Sequence, residues 1–178
     1  ADLGIAMAVG SQYGAVRDKV GYASYEIVRK YNPDGIVFAN ISALATPEQA
    51  SEAVRMLNAD ALEVHLNPAQ ELFMGEGDKD FRGLLDNMLR IKDATAVPVI
   101  VKETGCGIAK EEYARLKAQG FTCFDCAGAG GTNFPAIEAA RYGKELTADF
   151  AGWGLPTAWT LLDGATTCRQ DDFLIASG

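Results

Sequence analysis

Six short apolar runs, each closing on small or polar residues and most leading into a helix-like stretch, constrain this chain more than any other feature. They cover residues 3–9 closing on Gly10-Ser11, 35–39 closing on Asn40, and 62–66 closing on Asn67. The other three are 97–101 closing on Lys102-Glu103-Thr104, 121–126 closing on Ala127-Gly128, and 173–176 closing on Ser177-Gly178. Near-continuous apolar strands alternating with helices mark a parallel sheet covered by helices. The runs begin mostly about 25 to 35 residues apart, the spacing of repeated βα units. The interval from Phe121 to Phe173 is longer and has to hold two helices or an excursion.

Helix starts are legible between the runs. Thr46-Pro47-Glu48-Gln49 supplies a capping residue, a first-turn proline and a glutamine three residues on, which predicts a helix to about Leu57. A second helix starts near Lys110 and is stopped by Gly120, and Leu155-Pro156-Thr157 opens a third.

Two architectures fit, a doubly wound open sheet and a (β/α)8 TIM barrel. The barrel is favoured because every strand delivers polar residues at its C-terminal end, whereas an open sheet draws on strands near one switch point. A complete barrel has eight strands and typically about 250 residues, while this chain of 178 shows about six βα units. The expectation is therefore a single domain over residues 1–178, an incomplete barrel that is the central part of a longer one, without its N-terminal and C-terminal segments. An open barrel exposes strand edges and apolar surface, which predicts self-association into a homo-oligomer.

A net charge of −8 with scattered lysines and arginines argues against nucleic acid as a partner. No apolar run approaches the roughly 20 residues that span a bilayer, and Ala1-Asp2-Leu3-Gly4 does not open like a secretory signal. The reading is a cytoplasmic protein without a membrane partner. Cys123 and Cys126 form a Cys-x-x-Cys, but three positions apart on a strand means opposite faces. Two buried thiols are expected there rather than a zinc site.

The only histidine, His65, stands in His65-Leu66-Asn67-Pro68-Ala69-Gln70-Glu71. Alternation puts Glu63, His65 and Asn67 on one face and Leu62, Val64 and Leu66 on the other. Such a strand, apolar at its start and polar at its end, delivers side chains to a ligand. Glu71 is the candidate metal ligand, with Glu76 and Asp78 nearby. A diphosphate entering a chain of net −8 meets repulsion of roughly 4 kcal/mol per pair of charges at about 4 Å. Magnesium held by one carboxylate and the phosphate oxygens reverses that sign. Lys102, at the end of its strand, can stabilise negative charge on a ring or phosphate, or simply reach solvent. Gly128-Ala129-Gly130-Gly131-Thr132 before a helix suits a phosphate, although such turns also arise for steric reasons. Cys106 between two glycines lacks a second histidine as a base and reads as a small loop residue rather than a nucleophile.

These segments, in this order, resemble the flavin-dependent type 2 isopentenyl-diphosphate delta-isomerases. The resemblance is carried by Val9-Gly10-Ser11-Gln12, Ala39-Asn40, the His65 to Glu71 block, Glu76-Gly77-Asp78-x-Asp80-Phe81, Val99-Ile100-Val101-Lys102-Glu103, Gly130-Gly131-Thr132 and Trp153-Gly154-x-Pro156-Thr157. It implies an FMN-binding barrel that interconverts isopentenyl and dimethylallyl diphosphate by acid/base proton transfer from reduced flavin. The resemblance also implies magnesium, and NAD(P)H to keep the flavin reduced. It further implies that Ser11 and Asn40 contact FMN, Lys102 its pyrimidine edge, and Ala127 and Thr132 its neighbourhood. Ser11, Gln12 and Tyr13 fall in the substrate-binding region, His65 and Asn67 bind the diphosphate, Gln70 lies beside the reacting carbons, and Glu71 holds magnesium. His65 and Gln70 are thus the catalytic candidates. Tyr13 stands where family members commonly carry an arginine, Ala127 where a serine is frequent, and Gly75 where a proline is frequent. Two other readings compete: another FMN-dependent barrel oxidoreductase, and an inactive flavin-barrel core fragment. The first needs a late-strand histidine or a supported loop cysteine; the second predicts no flavin absorbance after FMN is added.

Overall fold

A computed structural model describes residues 4–178. The chain divides into two compact units, Ala1–His65 with Gly83–Ile100, and Leu66–Arg82 with Val101–Gly178. The first unit holds β1 (Met7–Ala8), α1 (Tyr13–Asp18), α2 (Tyr22–Tyr31), β2 (Val37–Ser42), α3 (Pro47–Leu57), all but the last residue of β3 (Ala61–Leu66), α5 (Leu84–Ala94) and the start of β4 (Val99–Glu103). The second holds α4 (Pro68–Phe73), the rest of β4, α6 (Lys110–Ala118), β5 (Cys123–Asp125), α7 (Phe134–Arg141), α8 (Ala148–Ala151), α9 (Thr157–Thr167) and β6 (Phe173–Ile175).

Strand order decides between the two candidate architectures. In the first unit it runs β1-β2-β3-β4 and in the second β4-β5-β6, with β1/β2, β2/β3 and β5/β6 all parallel. A doubly wound sheet reverses its order at a switch point. Here the order never reverses, so the fold is an incomplete (β/α) barrel.

In the first unit, Val37, Ala39, Ile41, Leu62 and Val64 from the strands pack with Leu57, Met88 and Ile91 from α3 and α5, all at most 2% exposed. Residues of β2 are buried on both faces apart from a half-buried Phe38, as a strand covered by helices should be. The predicted start of α3 is built as a full capping box. Thr46 Oγ1 accepts from Gln49 N at 3.3 Å, and Gln49 Oε1 accepts from Thr46 N at 2.9 Å. Asn87 of α5 donates to the carbonyls of Ala43 and Ala45, both at 2.8 Å, which ties that helix to the turn after β2.

The second unit is organised around Tyr113 of α6 and Phe124 of β5, whose rings meet edge to face at 5.2 Å. Gly164 in α9 makes room for this pair, since a Cβ there would lie 3.0 Å from Tyr113 Cζ. Helix α6 ends before Gly120, whose φ of +81° is left-handed, as anticipated.

Several expected boundaries move. The first strand is Met7–Ala8 instead of residues 3–9; it is exposed, and Leu3 lies outside the described residues. The fifth strand shrinks to Cys123–Asp125, leaving Cys126 just beyond it. Cys126 is buried and donates its thiol to Ile175 O at 3.2 Å, while Cys123 is only half-buried, so one of the two thiols expected to be buried is not. The long interval to β6 holds three helices, α7, α8 and α9.

Candidate functional site

In the first unit, a polar cluster grows from the ends of two neighbouring strands. Asn40 of β2 stands opposite Glu63 of β3 in register, and Ser42 opposite His65. Asn40 Nδ2 donates to Glu63 Oε2 at 2.7 Å, and Asn40 Oδ1 lies 2.8 Å from His65 Nδ1. Glu63 and Asn40 are buried and His65 half-buried. Gln12, expected among the substrate-binding residues, is fully buried. Its Oε1 accepts from Asn40 N at 3.0 Å, and its Nε2 donates to Ala53 O at 3.0 Å and Met56 Sδ at 3.2 Å. The side chain of Gln12 is spent on holding Asn40. Ser11 is exposed, its Oγ 3.4 Å from Tyr13 N. Tyr13 is half-buried under the guanidinium of Arg17, 5.6 Å from its ring centroid.

The second unit contains Asn67, Gln70 and Glu71. Asn67 occupies the N-cap position of α4 without a side-chain capping bond, with proline following. Its Nδ2 donates to Glu71 Oε1 at 2.9 Å, and the other carboxylate oxygen accepts from Asp78 N at 2.9 Å. Gly77 allows this return of the loop: a Cβ there would fall 2.2 Å from Glu71 O. A carboxylate offers about four lone-pair positions, so Glu71 retains acceptor capacity for a hard cation. Among the described residues no group of three His, Cys, Asp or Glu side chains is arranged to hold a metal.

Gln70 makes a contact that its sequence neighbourhood gives no sign of. Its Nε2 donates to Oε1 of the buried Glu138 of α7 at 3.0 Å, and Arg141 one turn on reaches Glu138 Oε2 at 2.6 Å. Arg141 also lies 3.6 Å from Glu76, which accepts from the Tyr142 hydroxyl. That hydroxyl is the main reason the Glu76 carboxyl sits below its ordinary range. The i, i+3 pairing of Glu138 with Arg141 was the one available signal, and it reads as helix surface.

Lys102 near the end of β4 is paired with Asp125 of β5 at 2.6 Å, and its ammonium donates to Ser177 Oγ at 3.3 Å. The Ser177 hydroxyl in turn donates to Asp125. The Asp125 side chain is 4% and the Lys102 side chain 20% exposed. An ammonium has three N–H groups; Asp125 and Ser177 take two. Ala127, two residues beyond Asp125, has φ +33°, a conformation that side chains rarely adopt. The following Gly128 is a steric glycine, since a Cβ would lie 2.4 Å from Thr157 Cα. Gly131 meets nothing within 4 Å, and Thr132 is exposed. Within the loop predicted for phosphate, the first glycine thus serves packing and the last faces open space.

Glu103 is buried and accepts from the N–H groups of Thr104, Gly105 and Cys106 at 2.7, 2.8 and 2.5 Å. Burial pushes the Cys106 thiol up to about 11, with the Glu103 carboxylate adding to it. It stays a thiol at neutral pH, in keeping with a loop residue and not a nucleophile.

No family model matches the chain. It is 48% identical over 179 residues to an isopentenyl-diphosphate delta-isomerase of Symbiobacterium thermophilum, covering 100% of this chain and 49% of the relative. The isopentenyl-diphosphate delta-isomerase of Bacillus pumilus is 48% identical, covering 98% of this chain and 48% of its own length. One from Bacillus cereus is 48% identical over 92% of this chain. The chain spans about half the length of the curated relatives it matches. Among solved structures, a 3-hexulose-6-phosphate synthase aligns over 97% of this chain and 77% of its own, with TM-score 0.47 and 18% identity. A dihydrodipicolinate synthase from Bacillus anthracis aligns over 97% of this chain and 57% of its own, with TM-score 0.48 and 14% identity.

Proposed function

The chain belongs to the isopentenyl-diphosphate delta-isomerase family, and on that premise we propose that the protein interconverts isopentenyl and dimethylallyl diphosphate with FMN and magnesium. The observation that carries this reading is the 48% identity along the entire chain. The Asn40–His65 contact within the first unit and the Asn67–Glu71 contact within the second each support it. His65 and Asn67 bind the diphosphate, with Ser11 and Tyr13 contributing; Gln12 contributes by holding Asn40. Glu71 takes magnesium through the acceptor positions that Asn67 and Asp78 leave over, and the metal offsets the repulsion between substrate and an acidic chain. Gln70 orients the reacting carbons, its amide steadied by Glu138.

Asn40, Ser11, Lys102, Ala127 and Thr132 are the residues that would hold FMN. Lys102 fits, because its remaining N–H can meet an acceptor on a flavin while Asp125 holds the side chain in place. Reduced FMN, when bound, supplies and removes the protons that moving a double bond requires, and NAD(P)H keeps it reduced. No side chain of this site matches that task, so the protein's part is orientation, charge and exclusion of water. Among the described residues no helix is long and apolar enough to cross a membrane. The same reading makes the protein a cytoplasmic homo-oligomer, which light scattering checks.

The test is an anaerobic assay with FMN, NADPH, magnesium and isopentenyl diphosphate, following dimethylallyl diphosphate by NMR. Turnover that stops on chelation and falls at least tenfold in Glu71→Gln is expected. Turnover indifferent to chelation would remove the metal role of Glu71. No turnover together with no FMN absorbance in the purified protein would overturn the reading.

A further inference from the structure

We infer that Glu63 is a positioning residue: acting through the Asn40 amide, it holds His65 with its proton on Nδ1. The argument follows the direction of each hydrogen bond. Glu63 and His65 are two residues apart on β3 and share a face, and Asn40 stands opposite Glu63 in register. An ionised carboxylate only accepts. The Asn40 atom 2.7 Å from Glu63 Oε2 must therefore be the amide nitrogen, and the atom 2.8 Å from His65 Nδ1 must be the amide oxygen. An oxygen of that kind also only accepts, so Nδ1 must donate. With Glu63 ionised, the polarity follows from the carboxylate and not from how an amide is oriented by convention.

Gln12 keeps the bridge in place. Its side chain accepts from Asn40 N at 3.0 Å, and its own N–H donates to Asn40 O at 2.8 Å. Nδ1 donates whether the ring is neutral or protonated, so the ring can change charge without losing this anchor. Its Nε2 accepts in the neutral form and donates to an anion in the protonated one. The reverse chain needs a protonated Glu63 donating to the amide oxygen, with the amide NH2 facing a bare Nδ1. The consequence for catalysis rests on the diphosphate role proposed above for His65; the assignment of Glu63 does not.

His65 is the only histidine, so one set of ring nitrogen signals reports on it without ambiguity. Long-range 1H–15N spectra of the uniformly labelled protein, at a pH where the ring is neutral, should show the Nδ1–H tautomer alone. An Nε2–H tautomer overturns the inference. The amide introduced by Glu63→Gln can present either its oxygen or its NH2, so that variant, folded by circular dichroism, should show both tautomers. A variant with the same single Nδ1–H tautomer as the parent shows that Glu63 does not set the polarity. Should the variant not fold, the parent spectrum still decides the tautomer. Inorganic pyrophosphate with magnesium is then added and should move the Nε2 signal more than the Nδ1 signal. A ring in the Nδ1–H form that ignores pyrophosphate counts against the diphosphate role and leaves the assignment of Glu63 standing.

Discussion

Glu63 in the first unit and Asp125 in the second are buried to nearly the same degree, 3% and 2% exposed, yet they are stabilised in different ways. Asp125 faces a cation directly: Lys102 lies at 2.6 Å, and the Ser177 hydroxyl and Ala127 N–H complete its shell. Among its contacts, Glu63 meets a neutral amide, Asn40, whose far end meets an imidazole. The ion pair cancels charge where it stands. The amide link instead passes on a direction, because an amide that donates at one end must accept at the other. One arrangement fixes a lysine in space, while the other fixes which nitrogen of a histidine carries the proton.

The comparison predicts unequal costs. Asp125→Ala leaves a largely buried ammonium without its counter-charge. It should destabilise the fold by about 3 kcal/mol, the low end for a broken buried pair because Lys102 still reaches solvent. The midpoint of urea unfolding measures this, and a cost below about 0.5 kcal/mol would mean the pair behaves as a surface one. Asn40→Leu takes one hydrogen bond from a buried carboxylate and should cost less, about 2 kcal/mol in the same measurement. A larger loss than for Asp125→Ala would reverse the ordering and show that the neutral link carries more of the stability.

Glu103 supplies the third and smallest test, as a buried carboxylate held by backbone N–H groups. Burial raises its pKa, and the N–H groups of Cys106, Thr104 and Gly105 pull it partly back. Because the folded state then holds the proton more tightly, the contribution is complete below the ordinary value of 4.5. It is lost as pH rises through the folded value. Glu103→Gln cannot ionise, so between pH 4.5 and neutrality it should lose less stability than the parent, read from urea midpoints across pH. Parallel pH profiles would show that the three N–H groups offset burial completely.

Much of the scaffold was legible beforehand because its signals are local. The capping box at Thr46 and Gln49 involves residues three apart, and the glycine stop at Gly120 needs only its own φ. The contact of Asn67 with Glu71 was within reach for the same reason, since one helical turn joins the two. Partners far apart in the chain were not. Gln70 meets Glu138 across 68 positions, and Lys102 meets Ser177 across 75. Nothing in the pattern around Glu138 separates a buried partner of Gln70 from an ordinary helix-face acid. Gln12, adjacent to Ser11 and Tyr13, looked equally able to touch a ligand, and burial removed it from the surface.

Residue order alone determined that this chain makes parallel βα units, where most of them begin, and which side chains each strand end carries, since apolar periodicity and capping act over a few residues. Only the tertiary structure decided that strand order never reverses, which separates a barrel from a doubly wound sheet. It alone decided that Asn40 links Glu63 to His65 and that Asp125 holds Lys102, because register and burial are settled when strands pair, and hydrogen-bond polarity follows from which groups are then left facing one another.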